Sequence, residues 1–303
     1  MIPRPRPEKN RLRRTMMFMN AQRPALIKDA YIYGSDSIIL DLEDAVAENQ
    51  KDSARFLLYH ALKNIDYGDT EVIVRINGLE TPHWKEDIRV VVAAGADGIR
   101  IPKCESAADV KLVEEHVLAA EREFGVEEGR TLLMAALESP KGILNAYEIA
   151  TASDRMFGVA ISGGDFRKSM HVQINRGGIE MLAARSQMLL AARAANIQCF
   201  DTMFPHINDK EGFEAEVRQN REMGFDGKSV ISPKQIRYVH ETFAPTEKEI
   251  AYAEKLVRSF NEQVDNGIGV YIVDGNMIDI PFIEDAQRVI ALAKKCGVYH
   301  GDL

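Results

Sequence analysis

Eight short apolar runs, rich in small and branched residues, alternate with stretches whose apolar positions recur three and four apart. Residues 15–19 (TMMFM) form the first run, and residues 24–33 after it are helix-like. Residues 37–46 (SIILDLEDAV) and 71–77 (EVIVRIN) are the second and third strands, with a helical period over 52–63 between them. A helix over 83–95 leads to a fourth strand at 97–103 (DGIRIPK), and a long amphipathic helix spans 107–124. Residues 131–142 (TLLMAALESPKG) and 155–166 (RMFGVAISGGDF) hold the fifth and sixth strands, each run ending in a carboxylate, Glu138 and Asp165. Ser139 as N-cap and Pro140 at the first helical position mark the helix start after Glu138. A helix over 177–195, a strand over 197–204, a helix over 211–224 ending at Gly224, and a strand over 227–232 complete the series, with Pro233 opening one more helix. Strands that are continuous apolar runs belong to a sheet buried on both faces. Eight of them alternating with helices through short connections predict an α/β fold, a (β/α)8 TIM barrel. A doubly wound open sheet is the alternative.

Beyond the barrel the pattern changes. Residues 245–266 read as a long polar helix, 267–279 as a hairpin turned at Asp274-Gly275, and 283–296 as a closing helix. A segment of about 60 residues is small for a core of its own, so it is expected to pack on the barrel or on a neighbouring subunit. The chain thus divides into a flexible basic tail (1–12), a barrel (13–244) and an extension (245–303). A net charge of −8 argues against a nucleic-acid partner. No apolar run nears the ~20 residues that cross a bilayer, and the basic start lacks an apolar stretch behind it, so neither a membrane span nor a secretory signal is expected. Three cysteines in an odd number, far apart, read as reduced thiols of a cytoplasmic protein.

Candidate chemistry gathers at strand ends, where parallel sheets place their sites. Glu138 and Asp165, 27 positions apart, are about one βα unit apart in chain length and suit a hard cation such as Mg²⁺; the alternative is that each caps a helix or pairs with a nearby Lys or Arg. Asp41, Glu43 and Asp44 crowd the end of the second strand, and their mutual repulsion calls for a nearby cation; Lys51 and Arg55 are the ordinary partners. Arg75 sits inside an apolar run, where burial requires an anion, either a substrate carboxylate or one of these acids. Lys103 ends the fourth strand in a similar position.

Six motifs in order, ILDLEDAV from Ile39, VRINGL from Val74, ALESPKGI from Ala136, the Asp165 turn, DGKSVISPKQI from Asp226 and GNMIDIP from Gly275, resemble the citrate lyase beta subunits of the HpcH/HpaI aldolase and citrate lyase superfamily. The resemblance runs from about Arg13 to about Ala293 and implies a (β/α)8 lyase with Mg²⁺ on Glu138 and Asp165 and a substrate carboxylate on Arg75. It further implies a thioester substrate carried on coenzyme A or an acyl carrier protein, and a catalytic Asp279 entering the site from an adjacent subunit. Glu43, Asp44, Lys103 and Ser232 are the remaining substrate-binding candidates. The implied reaction is cleavage of a citryl thioester to oxaloacetate and an acetyl thioester. Malyl or citramalyl thioester cleavage, thioester hydrolysis, and a non-catalytic paralogue are the alternatives. A homo-oligomer, trimer or hexamer, and citrate lyase alpha and gamma (carrier) subunits are the implied partners. The chain departs from the family pattern at Asn20-Ala21-Gln22, Gly164 and Ser232.

Overall fold

The computed structural model describes residues 4–265 and 269–303, in two compact units, Met1–Val239 and His240–Leu303. The first unit is a closed barrel of eight parallel strands, each paired with the next in sequence and the last with the first. In order it contains β1 (Thr15–Asn20), α1 (Pro24–Ile27), β2 (Ser37–Asp41), α2 (Lys51–Asn64), β3 (Glu71–Arg75), α3 (Trp84–Ala94), β4 (Gly98–Ile101) and α4 (Ala107–Phe124). There follow β5 (Leu132–Leu137), α5 (Pro140–Leu144), α6 (Ala146–Ala150), β6 (Met156–Ile161), α7 (Gly163–Ser169), α8 (Ile179–Ala194), β7 (Gln198–Asp201), α9 (Lys210–Met223) and β8 (Gly227–Val230). Helix α10 (Pro233–Phe243) carries the boundary between the units.

Strand alternation builds the interior in layers. Met16, Ile39, Ile73, Met134, Ala160 and Phe200 meet in one buried cluster. Two positions further along β1, β2 and β3 come Phe18, Asp41 and Arg75, so the interior changes from apolar to charged toward the carboxyl ends. The opposite end is closed by a polar plug around Arg13, all of whose side-chain donors are used. Arg13 donates Nε and Nη2 to Glu71 at 2.7 Å each, and its remaining bonds go to Gln198 and to the carbonyls of Glu8 and Lys9. Buried, fully paired charge of this kind is structural. The basic residues read as a flexible tail lie against this end. Arg4 pairs with Asp97, Arg6 with Glu127, and Lys9 and Arg11 donate to the carbonyls of Asp154 and Asp69.

Several boundaries differ from the sequence reading. The helix expected over 24–33 breaks into α1 and a 3₁₀ turn, Ala30–Tyr33, that stops at the left-handed Gly34. The helix after Glu138 is interrupted at Asn145, whose Nδ2 donates to the Glu105 carbonyl at 2.8 Å. Strands β2, β7 and β8 end earlier than their apolar runs, which continue into the following loops.

The second unit holds α11 (Glu247–Asp265), β9 (Tyr271–Val273), β10 (Asn276–Ile278) and α12 (Ile280–Lys295). The hairpin turns at Asp274 and Gly275, both with positive φ (50° and 81°), as a two-residue hairpin loop requires. Asn266 and Gly267, where the helix and hairpin were expected to meet, lie outside the described residues. This unit has its own buried cluster of Ala253, Leu256, Val273, Ile278, Ile283, Ala286 and Ile290, although about 60 residues is short for a separate core. Two long helices pack enough surface for it. On its surface Val270, Ile272, Met277, Ile280 and Phe282 remain exposed.

Candidate active site

Register fixes the first contacts. Asp41 stands opposite Arg75, and Arg75 opposite Arg100, at the carboxyl ends of β2, β3 and β4. Arg75 donates Nε and Nη2 to the two oxygens of Asp41 at 2.7 and 2.6 Å, and its Nη1 lies 2.8 Å from Glu43 Oε2. Glu43 also accepts from Lys103 Nζ at 2.6 Å, and the exposed Asp44 lies 3.9 Å from both cations. The acids after β2 therefore have Arg75 and Lys103 as their cations. Lys51 instead donates to the carbonyls of Leu42 and Glu43, and Arg55 pairs with Asp87 and Asp52. Burial opposes the charge on Arg75, but Asp41 and Glu43 outweigh it and hold the guanidinium firmly protonated. Burial raises Glu43, against the pull of Arg75 and Lys103. Lys103 lies beyond the end of β4 with a left-handed backbone (φ 47°), a conformation rare outside glycine and common where a side chain must be aimed.

Of the two kinds of partner that the sequence left open for Arg75, the structure shows the acids. Two acids hold it, and each terminal nitrogen keeps one further N–H for a ligand. The acid pair fixes the fork in place before anything binds.

Glu138 follows β5 directly and is 3% exposed, yet neither of its oxygens has a formed hydrogen bond. Burial, reinforced by the nearby Glu43, pushes its carboxyl up to about 7, and Arg100, the Lys103 backbone amide and Arg75 only partly offset this. The turn beside it is tightly placed: Ser139 Oγ accepts from the Gly142 amide, and a Cβ on Gly142 would stand 2.6 Å from the Cys104 carbonyl. Asp165 was expected at a strand end, but β6 stops at Ile161 and Asp165 lies in the first turn of α7. The glycines Gly163 and Gly164 are taken up by the helix start, where Gly163 donates to Thr202 Oγ1 at 2.9 Å. Strands β5 and β6 are neighbours, with Leu137 opposite Ile161, so both carboxylates leave the same edge of the barrel mouth. Asp165 makes no hydrogen bond or ion pair among the described residues.

Among the described residues there is no cluster of three or more His, Cys, Asp or Glu that would cage a metal. Two free carboxylates fit Mg²⁺, which keeps several waters and takes substrate oxygens alongside one or two protein acids. An unpaired buried carboxylate such as Glu138 is costly without a cation.

Arg100 was missed in the sequence. It is 1% exposed, with its guanidinium carbon 5.2 Å from the Phe18 ring centroid; that of Arg75 is 5.3 Å from the same centroid. Burial and the charge of Arg75 push it down to about 10. An arginine inside Gly98-Ile-Arg-Ile carries the signal that singled out Arg75. Ser232 precedes α10, where its amide donates to Gln235 Oε1 at 3.2 Å. Asp279 belongs to the second unit. It occupies the N-cap position of α12 without capping, and its Oδ1 is shielded and unpartnered.

The family model described as HpcH/HpaI aldolase/citrate lyase matches residues 14–233. This chain belongs to that family. Citrate lyase subunit beta of Leuconostoc mesenteroides subsp. cremoris is 50% identical over 283 residues, 93% of this chain and 94% of that one. A second relative, (3S)-malyl-CoA thioesterase of Cereibacter sphaeroides, is 34% identical over 94% of this chain and 96% of its own length. Among solved structures, protein CitE of Mycobacterium tuberculosis in complex with magnesium, acetoacetate and coenzyme A superposes with a TM-score of 0.77 at 27% identity, covering 95% of this chain and all (100%) of that one. The family match ends just inside α10, whereas the matches to both relatives are long enough to reach into the second unit. No helix among the described residues is long and apolar enough to cross a membrane.

Proposed function

We propose that this chain is the Mg²⁺-dependent carbon–carbon lyase of a citrate lyase, cleaving a citryl thioester to oxaloacetate and an acetyl thioester. The observation that carries the reading is Glu138, buried with both oxygens free beside two buried arginines, in a chain half identical to a citrate lyase beta subunit. Magnesium, coenzyme A and a keto acid bound to a relative of the same fold support the cofactor and the thioester.

Glu138 and Asp165 would hold the metal. Bound Mg²⁺ supplies a Lewis acid that lowers the pKa of the substrate hydroxyl and steadies the charge that develops on that oxygen. Arg75, held by Asp41 and Glu43, grips the carboxylate next to the hydroxyl and fixes the breaking bond in line. As the hydroxyl proton passes to solvent water, the O–H electron pair forms the ketone, and the pair of the broken carbon–carbon bond passes into the thioester as an enolate. Asp279 is the acid proposed to protonate that enolate to the acetyl thioester. Its Oδ1 is free for that role. Lys103 and Asp44 line the outer side of the acid cluster, and Ser232 lies at the start of α10.

The second unit presents exposed apolar residues around its hairpin, with Ile272 75% and Met277 63% exposed. This supports a homo-oligomer in which a second copy covers them. The trimer or hexamer, the carrier (gamma) and alpha subunits, the acyl carrier and a cytoplasmic setting form part of the same proposal.

Purified protein should cleave citryl-coenzyme A with Mg²⁺ and lose that activity when the metal is chelated. Malyl-coenzyme A in the same assay tests the relative's chemistry; release of free thiol from malyl-coenzyme A faster than cleavage of citryl-coenzyme A to oxaloacetate would replace the reading with a thioesterase. Arg75→Lys keeps the charge and loses the planar fork. It should weaken oxaloacetate binding about tenfold or more; equal affinity in calorimetry with Mg²⁺ present would remove Arg75 from this role.

A further inference from the structure

The two arginines at the barrel mouth are not equivalent. Arg75 spends three nitrogens on Asp41 and Glu43. Arg100 makes no ion pair among the described residues. Its Nη2 has only Ser162 Oγ, at 3.4 Å, and its Nε and Nη1 have no partner. A buried guanidinium is retained at a cost unless an anion completes it; of the acids close by, Asp41 and Glu43 are committed to Arg75 and Lys103, and Glu138, which acts on Arg100 through its charge without forming an ion pair, is on the proposed reading taken by the metal. Arg100 is also the less exposed, 1% against 9% for Arg75.

On the reading of the chain as a citryl thioester lyase, we infer that Arg100 receives the second free carboxylate of the substrate and makes the site selective for thioesters with two free carboxylates over those with one. The substrate's shape leads to the same assignment. The thioester arm is bulky and must leave through the mouth, so the opposite pole of the molecule points down the barrel. In a citryl thioester that pole is a methylene carboxylate, and in a malyl thioester it is a hydrogen. The less exposed cation, the one without an acid of its own, is therefore assigned the one group that distinguishes the two. Phe18, with both guanidinium groups beside its ring, spaces the two forks and supplies a weak cation–π contact to each.

Keto acids test this without turnover. With Mg²⁺ present, oxaloacetate carries both carboxylates and pyruvate only one. Arg100→Met should weaken oxaloacetate binding by about 30-fold or more, the usual scale for losing one partner of a buried charge pair. Pyruvate affinity should change by less than about threefold, since that ligand never reaches the arginine. Arg100→Lys, with a charge and no fork, should fall between. Because the methionine variant removes an unpaired buried charge, it should melt no lower than the unmodified protein. A parallel loss of both ligands, an unchanged ratio, or no oxaloacetate binding by the unmodified protein would each overturn the inference. If Arg100→Met does not fold, the lysine variant's ratio decides alone. Citryl-coenzyme A cleavage by the unmodified protein is scored separately. Cleavage with an unchanged ratio defeats only the role of Arg100, and a shifted ratio without cleavage defeats only the lyase reading.

Discussion

Glu138→Gln and Asp165→Asn should each lower citryl thioester turnover by about 100-fold or more, the scale on which a lost Lewis acid is felt. That factor corresponds to about 2.7 kcal/mol of barrier. The substitutions keep shape and remove charge, so any effect on Mg²⁺ follows from the missing anion. Glu138 is the sharper case. Its carboxylate is buried without a formed hydrogen bond, so the amide removes an unpaired buried charge and the variant should melt no lower than the parent. A stable protein with lost activity separates a metal-binding role from a structural one. Mg²⁺ titration should show both variants needing far higher concentrations for half activity. Wild-type turnover by either at limiting Mg²⁺ would show that the two-acid site is wrong.

The barrel was legible because a parallel sheet covered on both faces leaves its mark as continuous apolar runs, and short connections leave few topologies. Strand ends were less so. Residues 197–204 read as one strand, but β7 closes at Asp201, since apolar side chains such as Phe204 also pack under the loops that follow. Arg75 was found as an arginine inside an apolar run, yet its bidentate hold on Asp41 depends on which residues stand opposite across β2 and β3. Strand register of that kind is a tertiary property that a single chain pattern does not state. Arg100 carried the same local signal as Arg75 and differs only in lacking an acid opposite it, which again is visible only once β3, β4 and β5 are side by side. The site's main asymmetry follows from this: at the amino-terminal end Arg13 is fully paired, and at the carboxyl end Glu138 and Arg100 are not. Paired burial holds the barrel closed, and unpaired burial marks where a charged ligand belongs.

Asp279→Ala and Glu138→Gln proteins, each inactive alone, should regain activity when mixed. Asp279 lies in the second unit, at the start of α12, with an oxygen that neither caps the helix nor meets a partner. The hairpin before it exposes Ile272 and Met277, apolar surface of the kind that a second copy covers. If the extension of one subunit completes the barrel mouth of the next, each working site draws on two chains, and a closed oligomer is required. In an equal mixture with free exchange, half of the barrels keep Glu138 and half of the extensions keep Asp279. About one site in four then holds both intact residues, so about a quarter of the unmodified activity should return. Native mass spectrometry of the two proteins, one isotopically labelled, confirms that exchange has occurred. Recovery to that level assigns Asp279 to a neighbour's site. Complete exchange with no recovery confines Asp279 to its own chain, or removes it from the chemistry.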